Sequence, residues 1–265
     1  MNFIFIDGSY FIFYKFYALL QWWKLAKDEN TIAEIVKLDE FREKFIKTFS
    51  DKIKEIEKKL KIKNAIKLVG KDCPRSEIWR NRFVNNYKDN RDDKKNSYCK
   101  QFFKLVYQDK LFENNGIKYI LKHQNLEADD CIAITVKHIL KNYKDANIWI
   151  IANDMDYLQI ASNKVKIVNL KYIDISKKKS STGDPQCDKF CKIVCGDKSD
   201  NIKGIFDKCG IKTAINLYNN QELFKQKLQD KNIKEKYLLN KLLIDFDEIP
   251  EYLVDSFKKT VLTIS

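Results

Sequence analysis

Short apolar runs alternate with longer stretches of helical periodicity through the first 170 residues or so. Residues 2–6, 65–69, 117–121, 147–152 and 165–170 are each a compact run ended by a turn or an acidic residue, the pattern of strands buried on both faces. Between the first two, Ile32, Ile35, Leu38, Phe41, Phe45, Phe49, Ile53, Ile56 and Leu60 recur at threes and fours. That spacing predicts helix over 31–60, broken at most once, with a solvated Lys/Glu face. Crossovers of this length between strands predict an α/β fold with a mostly parallel central sheet flanked by helices on both faces.

From about Ser176 the pattern changes. SKKKSSTGDP is a polar, turn-forming run, and beyond it the periodicity is helical with no strand. A boundary at 180–186 divides an α/β core, 1–183, from a C-terminal helical region, 184–265, too small to stand alone and expected to pack on the core. The apolar N-terminus, MNFIFIDGSYFIFYKFYALLQWW, is interrupted by Asp7 and Lys15 and lacks a basic leader and a small-residue cleavage site. It falls short of the roughly 18 uninterrupted apolar residues of a membrane span and is read as a core strand followed by a core helix.

Composition narrows the function. With 44% hydrophobic and 13% aromatic residues the chain is too apolar to be disordered, and 50 Lys+Arg against 37 Asp+Glu leave it at +13. Such an excess costs self-repulsion unless a polyanion meets it, so nucleic acid is the leading partner and an anionic membrane surface the trailing one. Seven cysteines, an odd number scattered through the chain, argue against a secreted disulfide framework and for an intracellular, reducing compartment.

In an open parallel sheet ligands bind beyond the carboxyl ends of the strands. Here those positions are acidic: Asp7 follows the first run, Asp72 the second, Glu127, Asp129 and Asp130 the third after a short loop, and Asp154 and Asp156 the fourth. Any one alone reads as a helix cap complementing the helix dipole, Asp129 and Asp130 above all. Together, seven carboxylates at one sheet edge would repel and shift one another's pKa severely unless cations neutralised them. Hard oxygen ligands with neither His123 nor His138 among them select Mg²⁺ or Mn²⁺. In a basic protein they point to phosphodiester hydrolysis by two divalent ions. Asp197 and Asp200, three apart in CGDKSDNIKGI, would complete the second ion's shell.

The order IDGS, YKDNR, EADD, NDMDYLQ and GDKSDNIKGI resembles the 5′-nuclease superfamily of flap endonucleases and 5′-to-3′ exonucleases, in its compact phage, bacterial and viral form. The resemblance runs from Asp7 to about Leu217 and implies a PIN-like core, a helical arch at about 75–113 and a helix-hairpin-helix-like DNA-binding motif in the C-terminal region. It implies further that Asp7, Asp72, Glu127, Asp129 and Asp130 hold one Mg²⁺ and that Asp154, Asp156, Asp197 and Asp200 support a second. Lys88 and Arg91 of YKDNR would reach the scissile phosphate as catalytic residues, although the same charged segment also reads as an exposed face. The expected activity is structure-specific cleavage of DNA where a single-stranded 5′ flap or 5′ end meets duplex, with RNA–DNA hybrid as a further substrate, by a monomer serving replication or repair. A DNA-binding protein that keeps the fold without catalysis is the alternative.

Candidate nucleic-acid contacts follow. Arg80, Arg82, Tyr87, Lys94 and Lys95 lie in a segment where basic and aromatic residues interleave, as a channel for single strands requires, while Phe102, Phe103 and Val106 are expected in the core. Tyr14 and Lys15 resemble the family's pair for an unpaired nucleotide, with core packing the competing role for Phe13 and Tyr14. Lys208 and Lys212 are candidates for duplex contact. The stretch GIFDKCGIKTA departs from the family's glycine-rich, K⁺-binding hairpin: Asp207 stands at the first glycine or displaces it, and a carboxylate there opposes phosphate. Cys187, Cys191 and Cys195, spaced by fours, fit either helix packing or a soft metal.

Overall fold

The computed structural model describes residues 1–27, 31–90 and 97–261. Five parallel strands, β1 (Asn2–Asp7), β2 (Ile66–Gly70), β3 (Tyr119–Leu121), β4 (Asn147–Ile151) and β5 (Val165–Val168), form one sheet in the order β3-β2-β1-β4-β5. The α/β expectation is thus met, with the third, fourth and fifth strands shorter than their apolar runs. In β1 the two-residue period sends Ile4 and Ile6 to one face and Phe3 and Phe5 to the other, and both faces are covered. This is why the strand reads as a continuous apolar run rather than an alternating one.

One face is covered by α1 (Gly8–Lys27), α3 (Asp39–Leu60) and α4 (Lys100–Gln108). The single break expected within 31–60 falls between α2 (Ile32–Ile35) and α3, whose Phe41, Phe45, Phe49, Ile53 and Ile56 form a wholly buried stripe. Phe102 and Val106 of α4 join that core, and Phe103 packs edge-on against Phe13 with ring centroids 4.8 Å apart. The other face is covered by α5 (Ala128–Asn142) and by α10 (Glu251–Val261), whose Leu253 and Phe257 belong to the same apolar cluster as Phe3 and Phe5.

Between β5 and α10 lie α6 (Pro185–Cys195), α7 (Ile211–Asn219), α8 (Gln221–Lys227) and α9 (Lys231–Ile244). Cys187, Phe190, Cys191 and Val194 of α6 share a separate small core with Ala214, Leu217 and Phe224. The chain from 184 onward is therefore not packed as one piece: α6 to α8 have their own core, while the last helix returns to the sheet. The expected arch spans 75–113, where the described residues include 3-10 turns at Arg75–Glu77, Trp79–Arg82 and Ser97–Cys99, a run of turns over 83–90, and α4. No helix among the described residues is long and apolar enough to cross a membrane.

Candidate active site

The strand order reverses direction about β1, and the crevice at that switch point is where an open α/β sheet places its ligand. Asp7, the last residue of β1, is held there from two sides: Oδ1 accepts from the Tyr10 N–H at 2.9 Å and Oδ2 from the Tyr157 hydroxyl at 3.0 Å. Gly8 permits the turn into α1, since a Cβ there would lie 2.6 Å from both the Gly70 carbonyl and the Tyr107 hydroxyl. Asp72, two residues past β2, accepts from the Ser9 hydroxyl and from the Ala128 N–H at 2.8 Å. Asp154 caps the 3-10 turn Met155–Ile160 by accepting from the Asp156 N–H at 3.0 Å. Asp197 and Asp200 sit on a loop closed by paired Asp197 and Ile202 backbone bonds of 2.9 and 2.7 Å; it begins at Gly196, whose φ of +76° suits glycine.

Six of these acids, Asp7, Asp72, Glu127, Asp129, Asp154 and Asp197, line one cleft of about 980 Å³. Carboxylate oxygens of Glu127, Asp129 and Asp130 lie within 4.8 Å of one another, and so do those of Asp156, Asp197 and Asp200. Crowding of buried anions leaves its mark on their acidity. Burial and then Asp72 push Asp7 up to about 7. Burial, with Asp130 and Glu127 beside it, raises Asp129 well above the carboxylate range. Burial raises Asp156 to about 6 despite Lys192. Asp197 goes the other way, because Lys192 and Ser199 outweigh its burial. An all-oxygen donor set that resists ionisation unless positive charge is supplied fits hard divalent cations.

The protein supplies part of that charge itself, in three different ways. Arg80 is 2% exposed; its guanidinium forks onto Asp130 with two bonds of 2.8 Å and reaches Glu127 at 3.0 Å, while Nε donates to the Leu243 carbonyl. Trp79 Nε1 adds 3.0 Å to the same Asp130, which also caps α5 through the Glu127 N–H. Lys88, 6% exposed and with φ of +59°, pairs with Glu127 and lies 3.5 Å from Asp200. Lys192 of α6 pairs with Asp156 and, at 2.7 Å, with Asp197.

Several expected contacts need correction. Arg80 is interior and spent on Asp130, so it is no phosphate contact. Tyr87 is likewise buried, its hydroxyl donating to Glu127 at 3.0 Å and Asp200 at 3.2 Å. Arg82 is exposed but donates to the Tyr252 hydroxyl of α10 at 2.6 Å. Tyr14 is half-buried against Tyr10, and Lys15 faces Lys52, Glu55 and Asp51; the α1 wall of the cleft is Ser9, Tyr10 and Phe13 instead. Lys208 and Lys212 are exposed beside the first turn of α7. Arg91, Lys94 and Lys95 lie outside the described residues.

Sequence reasoning missed Lys192, Ser9, Tyr10 and Tyr157. Ser9 and Tyr10 follow Asp7 directly, and one helical turn from a strand-end acid was signal enough to find them. Lys192 is one cation among 50, and only the packing of α6 against the Met155–Ile160 turn brings it to the acids.

Comparison with known proteins places this architecture. The model of the 5′-3′ exonuclease N-terminal, resolvase-like domain matches residues 2–189. The chain belongs to the 5′-3′ exonuclease family. Ribonuclease H of Enterobacteria phage T4 is 30% identical over 211 residues, covering 70% of this chain and 66% of that protein, just short of two thirds of its length. Among solved structures, a T5 protein crystallised with metal ions aligns over 100% of both chains at a TM-score of 0.69 and 20% identity. The bacteriophage T5 flap endonuclease in complex with DNA and metal ions aligns over 99% of this chain and 98% of that one, at 0.67 and 19%. At those identities the likeness is one of fold, shared along the whole length of this family member.

Proposed function

We propose that this chain is a divalent-cation-dependent 5′-nuclease that hydrolyses DNA phosphodiester bonds where a single-stranded 5′ flap or 5′ end meets duplex, using two metal ions. One observation carries the reading: acids from four strand ends and from the 197–200 loop meet in a single cleft of a chain of net charge +13. A protein that only bound DNA would gain nothing from keeping buried, mutually repelling carboxylates beside phosphate.

Asp7, Asp72, Glu127 and Asp129, with Asp130 behind them, would hold one ion, and Asp154, Asp156, Asp197 and Asp200 the other. Bound there, Mg²⁺, or Mn²⁺ in its place, supplies a water nucleophile at neutral pH and offsets charge on the leaving oxygen. The chain's own groups do the rest. Tyr10 and Tyr157 fix the two oxygens of Asp7, and Ser9 and Ala128 those of Asp72, so these acids enter the reaction already oriented. Lys88, joined by Arg91, stabilises the charge that grows on the phosphoryl oxygens. Phe13, Tyr10 and Phe103 line the cleft as rings for an unpaired base, and Lys208 and Lys212 contact the duplex. With Asp207 in the hairpin, K⁺ has no part in this reading. A monomer acting in replication or repair, in an intracellular reducing compartment, is the biological setting. Activity on RNA–DNA hybrid is supported by the relative named ribonuclease H.

The test is a set of 5′-labelled substrates, namely flap, nicked duplex, single strand and RNA–DNA hybrid, incubated in parallel with Mg²⁺ and with chelator. Mg²⁺-dependent products from the flap or the recessed 5′ end are expected. Intact substrate in every Mg²⁺ reaction would overturn the proposal and leave the DNA-binding alternative.

A further inference from the structure

A second cleft, of about 920 Å³, opens beside the active one and shares Asp72 and Cys73 with it. Its walls are the residues after β2, the free edge of β3 with its flanking residues, and the outer turns of α10. Three lysines face it: Lys71, Lys118 and Lys122. Lys71 is half-buried and Lys118 and Lys122 are exposed, and among the described residues none of the three forms an ion pair. The Lys71 ammonium lies 4.1 Å from the centre of the Tyr107 ring and that of Lys118 lies 5.1 Å from the Tyr119 ring. The carboxylates present are Asp72, whose oxygens are engaged by Ser9 and Ala128, and the exposed Glu113.

Position makes this more than a charged patch. The α6–α7 unit, with Lys208 and Lys212, packs against the turn that follows β4, on one side of the carboxylates. The lysine cleft borders β3, at the opposite end of the sheet. A strand that leaves duplex held at α6–α7 and crosses the carboxylates arrives at β3.

We propose that the Lys71–Lys118–Lys122 cleft is the track for the single-stranded 5′ arm beyond the cleaved bond, the lysines meeting phosphates and the half-buried Tyr119 ring offering a face to a base. The inference rests on the nuclease reading above and adds to it a binding site and a direction of travel.

Lys118 and Lys122 are exposed and make no contact with the carboxylates, so the double variant K118E/K122E keeps the fold and the chemistry. Cleavage is compared on flaps whose 5′ arms are about 2 and about 15 nucleotides long, the second long enough to fill such a groove. The variant is expected to raise KM for the long arm by about tenfold at low salt, with the short arm unchanged and the difference fading as salt rises. The milder Lys71→Gln should move the long-arm KM in the same direction. As a readout that needs no turnover, bromodeoxyuridine in the long arm, photolysed in chelator, should crosslink to the peptide containing Lys118, Tyr119 and Lys122. Equal KM changes for both arms, no change for either, or crosslinks confined to other peptides would overturn the track while leaving the nuclease reading intact. Wild-type protein that cuts neither flap would instead overturn the nuclease reading.

Discussion

Two neighbouring acids, Asp129 and Asp130, follow each other at the start of α5 and meet opposite fates. Asp130 is fully buried, and both of its oxygens are taken by Arg80, Trp79 and the Glu127 amide. Asp129 lines the cleft, where its Oδ1 accepts from the Asp130 N–H at 2.8 Å. The contrast extends to the two halves of the site. On the α5 side the compensating cation is an arginine, always charged, bidentate and locked by the Leu243 carbonyl, a fixture of the fold. On the side of Asp156 and Asp197 it is Lys192, a compact charge on a flexible stem that a divalent cation can displace. The charge beside Asp130 is fixed by the protein, whereas the charge beside Asp156 and Asp197 is one that an incoming ion can exchange.

Substitution at Asp129 should have the greatest consequence. Asp129→Asn should cut cleavage by about a hundredfold or more, since a neutral amide at the same volume removes a ligand from the cleft. It should leave the thermal midpoint of the metal-free protein unchanged or raised, because the native carboxyl already resists ionisation. A matching loss of stability would place Asp129 with Asp130 as a structural group.

Next comes Arg80→Met. Leaving Asp130 buried without its partner should cost about 3–5 kcal/mol of folding stability, measured by urea unfolding, and added Mg²⁺ should not restore it. Lys192→Met should cost less, and Mg²⁺ should restore much of it. If Mg²⁺ rescued both variants alike, the distinction between fixed and exchangeable charge would fail.

A smaller effect is the pH dependence of the metal-free protein. Asp7 and Asp156 hold their protons in the folded state up to about 7 and about 6, above an ordinary value of 3.8. Folding therefore binds protons in this window. Their contribution to stability is complete below the unfolded value and disappears as pH rises through the folded ones. The thermal midpoint should fall between about pH 5 and pH 8, and saturating Mg²⁺ should flatten that fall. Asp197, shifted downward, contributes in the opposite sense, but its loss falls at more acid pH and does not mask the trend. A metal-free midpoint that rises across this window would contradict the burial of these acids.

Much of this was legible in the sequence, for identifiable reasons. Buried parallel strands require continuous apolar runs, and an acid right after such a run has nowhere to go but the sheet's carboxyl edge, so Asp7, Asp72 and Asp154 could be placed without coordinates. The stripe of α3 and its single break were equally plain. Cations were not. Arg80 and Arg82 stand two apart in one charged segment, yet one is interior against Asp130 and the other reaches Tyr252 at the surface. Local pattern reports how polar a segment is, whereas the partner of a long charged side chain is decided by what the fold brings to it from far along the chain. Lys192, 36 residues from Asp156, is the same lesson in reverse.

If these acids hold divalent ions in one cleft, the ions themselves can be seen. Crystals grown with Mn²⁺ and measured at the manganese edge test it directly. Two anomalous peaks are expected, one among Asp7, Asp72, Glu127 and Asp129 and the other among Asp154, Asp156, Asp197 and Asp200, with the Lys192 ammonium withdrawn from Asp156. A cleft without peaks, with Lys192 still paired to both acids at saturating Mn²⁺, would contradict it.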